Sequence, residues 1–254
     1  MKLKDRVAIV TGGGVGIGRA FCLGLANEGA KVVAADINFE GAQGVVKELE
    51  QQGKEALALK TDVTDEKSTQ EMAQKTIERF GRIDILINNA ALFTALGPSR
   101  PWDTIEIDEW DRVMAINLKG LFLCAKAAVP HMKAQGKGKI ISISSGLALR
   151  GAVGKLHYVT SKAGVLGFTR GLARELAGQN ISVNSLALGQ TLSEGLKNRS
   201  DVTPEAIERL KAQRCVQKEM YPEDIVGSAV FLASDDSDFI CGETIVIDGG
   251  VAFV

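Results

Sequence analysis

The sequence predicts an α/β fold: a doubly wound parallel sheet of about seven strands in one domain, with helices on both faces. Three observations predict it. Short β-branched runs alternate with longer amphipathic stretches along the whole chain. Several of those runs are apolar at consecutive positions, as strands covered on both faces must be. No Pro/Gly/Ser-rich linker, internal repeat or low-complexity tract divides the 254 residues, so residues 1–254 read as a single domain.

Taken in order, RVAIVT (6–11) is the first strand, and the glycine-rich TGGGVGIG (11–18) turns it into a helix over 16–29. KVVAAD (31–36) is the second strand, EALALK (55–60) the third and DILIN (84–88) the fourth, separated by helices over 39–52 and 65–80. A long helix over 107–134 leads to the strand KIISIS (139–144), a helix over 157–178 to ISVNSLA (181–187), and TIVID (244–248) closes the sheet. One stretch breaks the rhythm: residues 189–224 are long and charged, with Thr203–Pro204 placed to start a short helix. An insert at the C-terminal edge of such a sheet is where a substrate lid belongs.

Composition narrows the function classes. The formal net charge is -1, with no basic block, which argues against nucleic acid or an anionic membrane surface as partner. No apolar run reads as the roughly 20 residues of a membrane span, and the apolar stretch at the N-terminus is too short for a signal peptide. The expected address is the cytoplasm. Cys22, Cys124, Cys215 and Cys241 are scattered and only two histidines are present, so neither a metal site nor a disulfide framework is expected.

Glycines at 12, 16 and 18 let the backbone turn tightly and approach a pyrophosphate seated at a helix N-terminus. Asp36 ends the second strand, where a carboxylate accepts hydrogen bonds from adenosine ribose hydroxyls and repels a 2′-phosphate. None of Gly14, Val15, Ile37 and Asn38 supplies a cation for such a phosphate, so the expected cofactor is NAD(H). In HYVTSKAGV (157–165), Tyr158 and Lys162 lie one helical turn apart on one face. The ammonium is expected to favour the phenolate and so fit the tyrosine for proton transfer.

The spacing TGxxxGxG resembles that of the short-chain dehydrogenase/reductase family, and the resemblance spans nearly the whole chain. Asp62 and Val63 match its adenine-contacting pair, and NNAA (88–91) matches its NNAG motif, with Asn89 and Ala90 near the cofactor. Asn117 matches the mid-helix asparagine of its catalytic set. ISISSG (141–146) followed by Tyr158 and Lys162 matches the serine strand and YxxxK helix, and FLASDDSDFICGETIVIDGG matches the closing segment. Two positions depart: Ala91 replaces the last glycine of NNAG, and Leu188–Gly189 stands where the family has Pro-Gly, which loses a rigid residue.

The resemblance implies a Rossmann-like fold and a catalytic set of Asn117, Ser145, Tyr158 and Lys162. Tyr158 would transfer the proton, Lys162 would lower its pKa and bind the nicotinamide ribose, Ser145 would hold the substrate oxygen, and Asn117 would anchor a relay water. Ser142 and Ser144 are alternatives to Ser145. The implied cofactor contacts are Gly12, Val15, Gly16, Ile17, Gly18, Asp36, Ile37, Asp62, Val63, Asn89, Ala90, Tyr158, Lys162, Gly189 and Thr191. His157 reads as packing or pocket rim, since adjacent helical residues face apart. Phe93, Trp102 and Trp110 are as readily core as substrate pocket, and Leu147, Leu149, Val153 and Leu156 suggest an apolar substrate wall. The expected activity is NAD-dependent interconversion of a secondary alcohol and a ketone by an alcohol dehydrogenase or carbonyl reductase. The alternatives are a 3-oxoacyl thioester reductase and a catalytically idle NAD-binding redox sensor. A homotetramer is implied through the helices at 107–134 and 157–178 and the C-terminal DGGVAFV.

Overall fold

A computed structural model describes residues 1–199 and 201–253. Seven parallel strands form one sheet in the order β3-β2-β1-β4-β5-β6-β7. They are β1 (Val7–Thr11), β2 (Lys31–Asp36), β3 (Ala56–Lys60), β4 (Ile85–Asn88), β5 (Gly138–Ser145), β6 (Ile181–Leu188) and β7 (Thr244–Ile247). The order reverses between β1 and β4, so a crevice opens at their C-terminal ends.

The helices are α1 (Gly16–Asn27), α2 (Phe39–Gln51), α3 (Glu66–Phe80), α4 (Ile107–Met114), α5 (Gly120–Gln135), α6 (Leu147–Arg150), α7 (Leu156–Glu175), α8 (Glu194–Lys197), α9 (Pro204–Ala212) and α10 (Glu223–Ala233). Alternate residues of the strands feed opposite faces, as the pleat requires. Ala8, Val10, Ile85 and Ile87 pack under α1, α2 and α10. Val7, Ile9, Leu86 and Ile140 pack on the other side against α3, α5 and α7.

The helix expected at 107–134 runs to Gln135, but a π turn at Ala115–Lys119 interrupts it between α4 and α5. Its hydropathy and length would suit a membrane crossing, which corrects the expectation that no such run exists. It lies against the sheet, with Leu121, Leu123, Cys124 and Val129 buried, and a core helix needs the same composition. In the 189–224 insert, Thr203 caps α9 by accepting from the Ala206 N–H at 3.2 Å, with Pro204 in the first turn. Helix α10 carries the insert back to the sheet.

Candidate active site

A cavity of about 690 Å³ lies along the C-terminal edge of the sheet, from β2 across to β7. The β1–α1 turn forms its floor. Gly12 and Gly16 adopt left-handed φ angles of 63° and 55°, and a Cβ at Gly18 would stand 1.9 Å from the Gly12 carbonyl oxygen. Glycine is therefore required for the turn to close. Asn38, Asp65 and Thr203 cap α2, α3 and α9 with their side chains, whereas α1 has no side-chain cap. Its first N–H groups remain for an anion.

Asp36 is 8 % exposed and fixed by two backbone donors, the Gly14 N–H at 2.8 Å and the Asn38 N–H at 2.9 Å. Ile37 beside it is exposed, and Arg19 is committed bidentately to Glu48. The basic residues lining the cavity are Arg150, Lys162 and Arg214. They follow β5 and β6, three or more strands from β2, or roughly 14 Å at the usual strand spacing.

At the middle of the edge, Ser145 ends β5, and Tyr158 and Lys162 project from α7. Lys162 Nζ donates to the Ile143 carbonyl at 2.7 Å, and Ser144 Oγ donates to the Lys162 carbonyl at 2.8 Å, so β5 and α7 are stitched together. Burial pushes the Lys162 ammonium down to about 8. It also pushes the Tyr158 phenol up to about 12, with only the neighbouring Ser145 hydroxyl acting against it. This corrects the expectation that Lys162 depresses the phenol. The phenol lies among apolar groups, including Phe93 with ring centroids 4.6 Å apart, and desolvation dominates its titration in the protein alone.

Every residue expected to contact the cofactor lines this cavity, as do Ser145, Tyr158 and Lys162. Asn117 does not. It is fully buried, its Oδ1 accepts from the Leu92 N–H at 2.7 Å, and its Nδ2 donates to Ser161 Oγ at 3.1 Å and to the Leu92 carbonyl at 3.3 Å. Ser161 Oγ in turn donates to the Tyr158 carbonyl at 2.7 Å. Both Nδ2 hydrogens are engaged and the amide staples the β4 loop to α7.

His157 is found packed, and the other open readings resolve residue by residue. His157 is buried on the helix face that meets α4, with its Nε2 2.7 Å from Glu109 Oε1, while Glu109 Oε2 pairs with Arg100 at 2.6 Å. Phe93 lines the cavity, whereas Trp102 and Trp110 do not. Of the expected apolar wall only Leu147 lines it; Val153 is 94 % exposed. The insert contributes Gln190, Ser193, Glu194, Asn198 and Arg214 instead. The sequence pointed to the insert as a lid but not to these residues in it, because which side chains turn inward depends on how the insert packs.

Residues 13–252 match the family model described as enoyl-(acyl carrier protein) reductase. The 3-oxoacyl-[acyl-carrier-protein] reductase FabG of Thermotoga maritima is 37 % identical over 254 residues, covering 99 % of both chains. The probable galactose dehydrogenase GalD of Rhizobium meliloti is 33 % identical over 250 residues, covering 98 % of this chain and 96 % of that protein. A crystal structure described as a short-chain alcohol dehydrogenase from Sinorhizobium meliloti 1021 superposes with a TM-score of 0.92 at 34 % identity, covering 98 % and 97 % of the two chains.

Proposed function

We propose, since the chain belongs to the short-chain dehydrogenase/reductase family of oxidoreductases, which use nicotinamide cofactors, that it interconverts a secondary alcohol and a ketone with NAD(H). One observation carries this reading: a single cavity holds a buried, doubly anchored Asp36 at one end and the Ser145, Tyr158 and Lys162 side chains near the other. The bound nicotinamide ring would supply hydride transfer. The uncapped N-terminus of α1 would take the pyrophosphate, Asp36 the adenosine ribose hydroxyls, and Gly189 and Thr191 the nicotinamide carboxamide.

Ser145 would hold the substrate oxygen by a hydrogen bond and stabilise charge as it develops there. Tyr158 would take the hydroxyl proton in oxidation and return it to the carbonyl oxygen in reduction. A phenol near 12 is a weak base at neutral pH, so this role needs positive charge nearby when the site is filled. The Lys162 ammonium and an oxidised nicotinamide would supply it. The 189–224 insert would act as the lid: Arg199 donates to the Phe93 carbonyl at 3.0 Å and to the Gly97 carbonyl at 2.5 Å, tying it to the loop after β4. Phe239 and Phe253 are strongly exposed, which favours the homotetramer as the assembled form.

The FabG relatives favour a second reading, reduction of a 3-oxoacyl thioester. Assaying the purified protein with secondary alcohols and NAD+, and separately with an acetoacetyl thioester and NADPH, separates the two. NADH formation from an alcohol supports the first; thioester turnover with NADPH as the faster reaction would replace it with the second.

A further inference from the structure

Arg214 follows α9, lines the cavity, and is 5 % exposed. A guanidinium carries five N–H donors and cannot shed its charge. Here Nη1 donates to the Lys218 carbonyl at 2.7 Å and Nη2 to the Gln190 carbonyl at 2.8 Å, while Nε is buried without a partner among the described residues. Two carboxylates reach it with their fields, and both are engaged elsewhere. Asp248 accepts from the Gly250, Val251 and Ala252 N–H groups, and Asp224 accepts from Lys218 Nζ and the Tyr221 N–H. No ion pair to Arg214 occurs among the described residues.

Other buried cations of this protein are answered differently. Lys139 is paired with Asp238 at 2.8 Å and Arg199 with Asp201 at 2.7 Å. Arg150 lines the same cavity from α6, but its side chain is exposed and water can satisfy it. A buried charge with spare donors and no carboxylate in contact is costly in a folded protein, and here it borders a cavity large enough for a ligand.

We propose that Arg214 is the receptor for a carboxylate on the substrate, so that the enzyme acts on a hydroxy acid and its oxo acid. The planar fork matches a carboxylate bidentately. Placement sets which acids fit. Arg214 packs on Gly249 just past β7 and bonds Gln190 just past β6, whereas Ser145 ends β5. The carboxylate therefore lies one to two strand spacings, about 5–10 Å, to the β7 side of the reacting carbon. It belongs several bonds from that carbon, not next to it. The lid supplies Gln190 and Arg214 together, so binding of such a group would also hold the lid closed.

The inference rests on the alcohol–ketone reading, and the test separates the two. Wild-type kcat/KM is measured with NADH for oxo acids of increasing chain length and for their methyl esters, which keep the shape and lose the charge. Acids should exceed esters by roughly ten- to hundredfold, the worth of a hydrogen bond to a charged group. Arg214→Gln should bring that ratio close to one. Equal wild-type turnover of acid and ester overturns the proposal whatever the variant does. A loss of NADH affinity in Arg214→Gln as large as the loss of acid preference assigns the guanidinium to the cofactor's pyrophosphate and also overturns it. If neither series turns over, calorimetric binding of hexanoate to the wild-type protein with NADH decides: saturable binding abolished by Arg214→Gln supports the carboxylate receptor, and absent binding refutes it.

Discussion

Replacing Asp36 by Asn removes one charge at nearly constant shape, which makes it a sharp test of cofactor choice. The carboxylate is held by donors at 2.8 and 2.9 Å and cannot swing away from an incoming group. A 2′-phosphate in contact with it would suffer about 4 kcal/mol of repulsion per unit charge, taking roughly 4 Å and an effective dielectric near 20. Screening at the cavity mouth brings this to about 2–4 kcal/mol, and about 1.4 kcal/mol is tenfold. Wild-type protein should therefore favour NAD+ over NADP+ by roughly thirty- to several-hundredfold in kcat/KM, and Asp36→Asn should shrink that ratio by a similar factor. Asn offers one carbonyl oxygen where Asp offers two acceptors, so one backbone N–H is left unmet. That should lower stability by about 1–2 kcal/mol, or roughly 2–8 °C in Tm for a chain of this size. Steady-state kinetics with both cofactors and a thermal melt read the two effects. A wild-type ratio near one, or an unchanged ratio in Asp36→Asn, would refute the reasoning that this carboxylate selects the cofactor.

Tyr158→Phe should reduce turnover by about 10²–10⁴-fold while NADH still binds, as fluorescence titration would show. The difference in ultraviolet titration between wild type and Tyr158→Phe should place the phenol near 12 in the protein alone, and NAD+ should move it down. Lys162→Met should abolish turnover yet melt higher than wild type at pH 7. A lysine whose folded pKa is depressed from 10.5 to about 8 destabilises the fold below about 8, by at most roughly 3 kcal/mol before the lost Ile143 hydrogen bond is subtracted. That advantage should shrink as pH rises from about 8 to 10.5, when the wild-type lysine is neutral in the folded state. Gly18→Ala should abolish NADH binding, because its Cβ would overlap the Gly12 carbonyl at 1.9 Å; a variant that binds NADH normally would show that the turn relaxes.

Much of this protein is legible along the chain because it depends on local geometry. Consecutive apolar runs in β1, β2 and β4 gave the sheet, since a strand covered on both faces has no polar side. Glycine spacing gave the turn under the cofactor, since left-handed φ and a backbone approach are properties of single residues. The one-turn separation of Tyr158 and Lys162 placed them on a shared face, since helical periodicity is itself local. What tertiary structure decided is which groups are desolvated and which donors already have partners. The Tyr158 phenol is raised by burial, where the lysine one turn away suggested the reverse, and part of that burial is the Phe93 ring, distant in sequence. Asn117 is bonded to Leu92 and Ser161, brought to it by the β4 loop and α7. Arg214 looks like one more charge in the insert until the chain after α9 packs it on Gly249 and buries it beside the cavity. Solvation and partner saturation are sums over neighbours from the whole fold, and sequence proximity does not identify those neighbours.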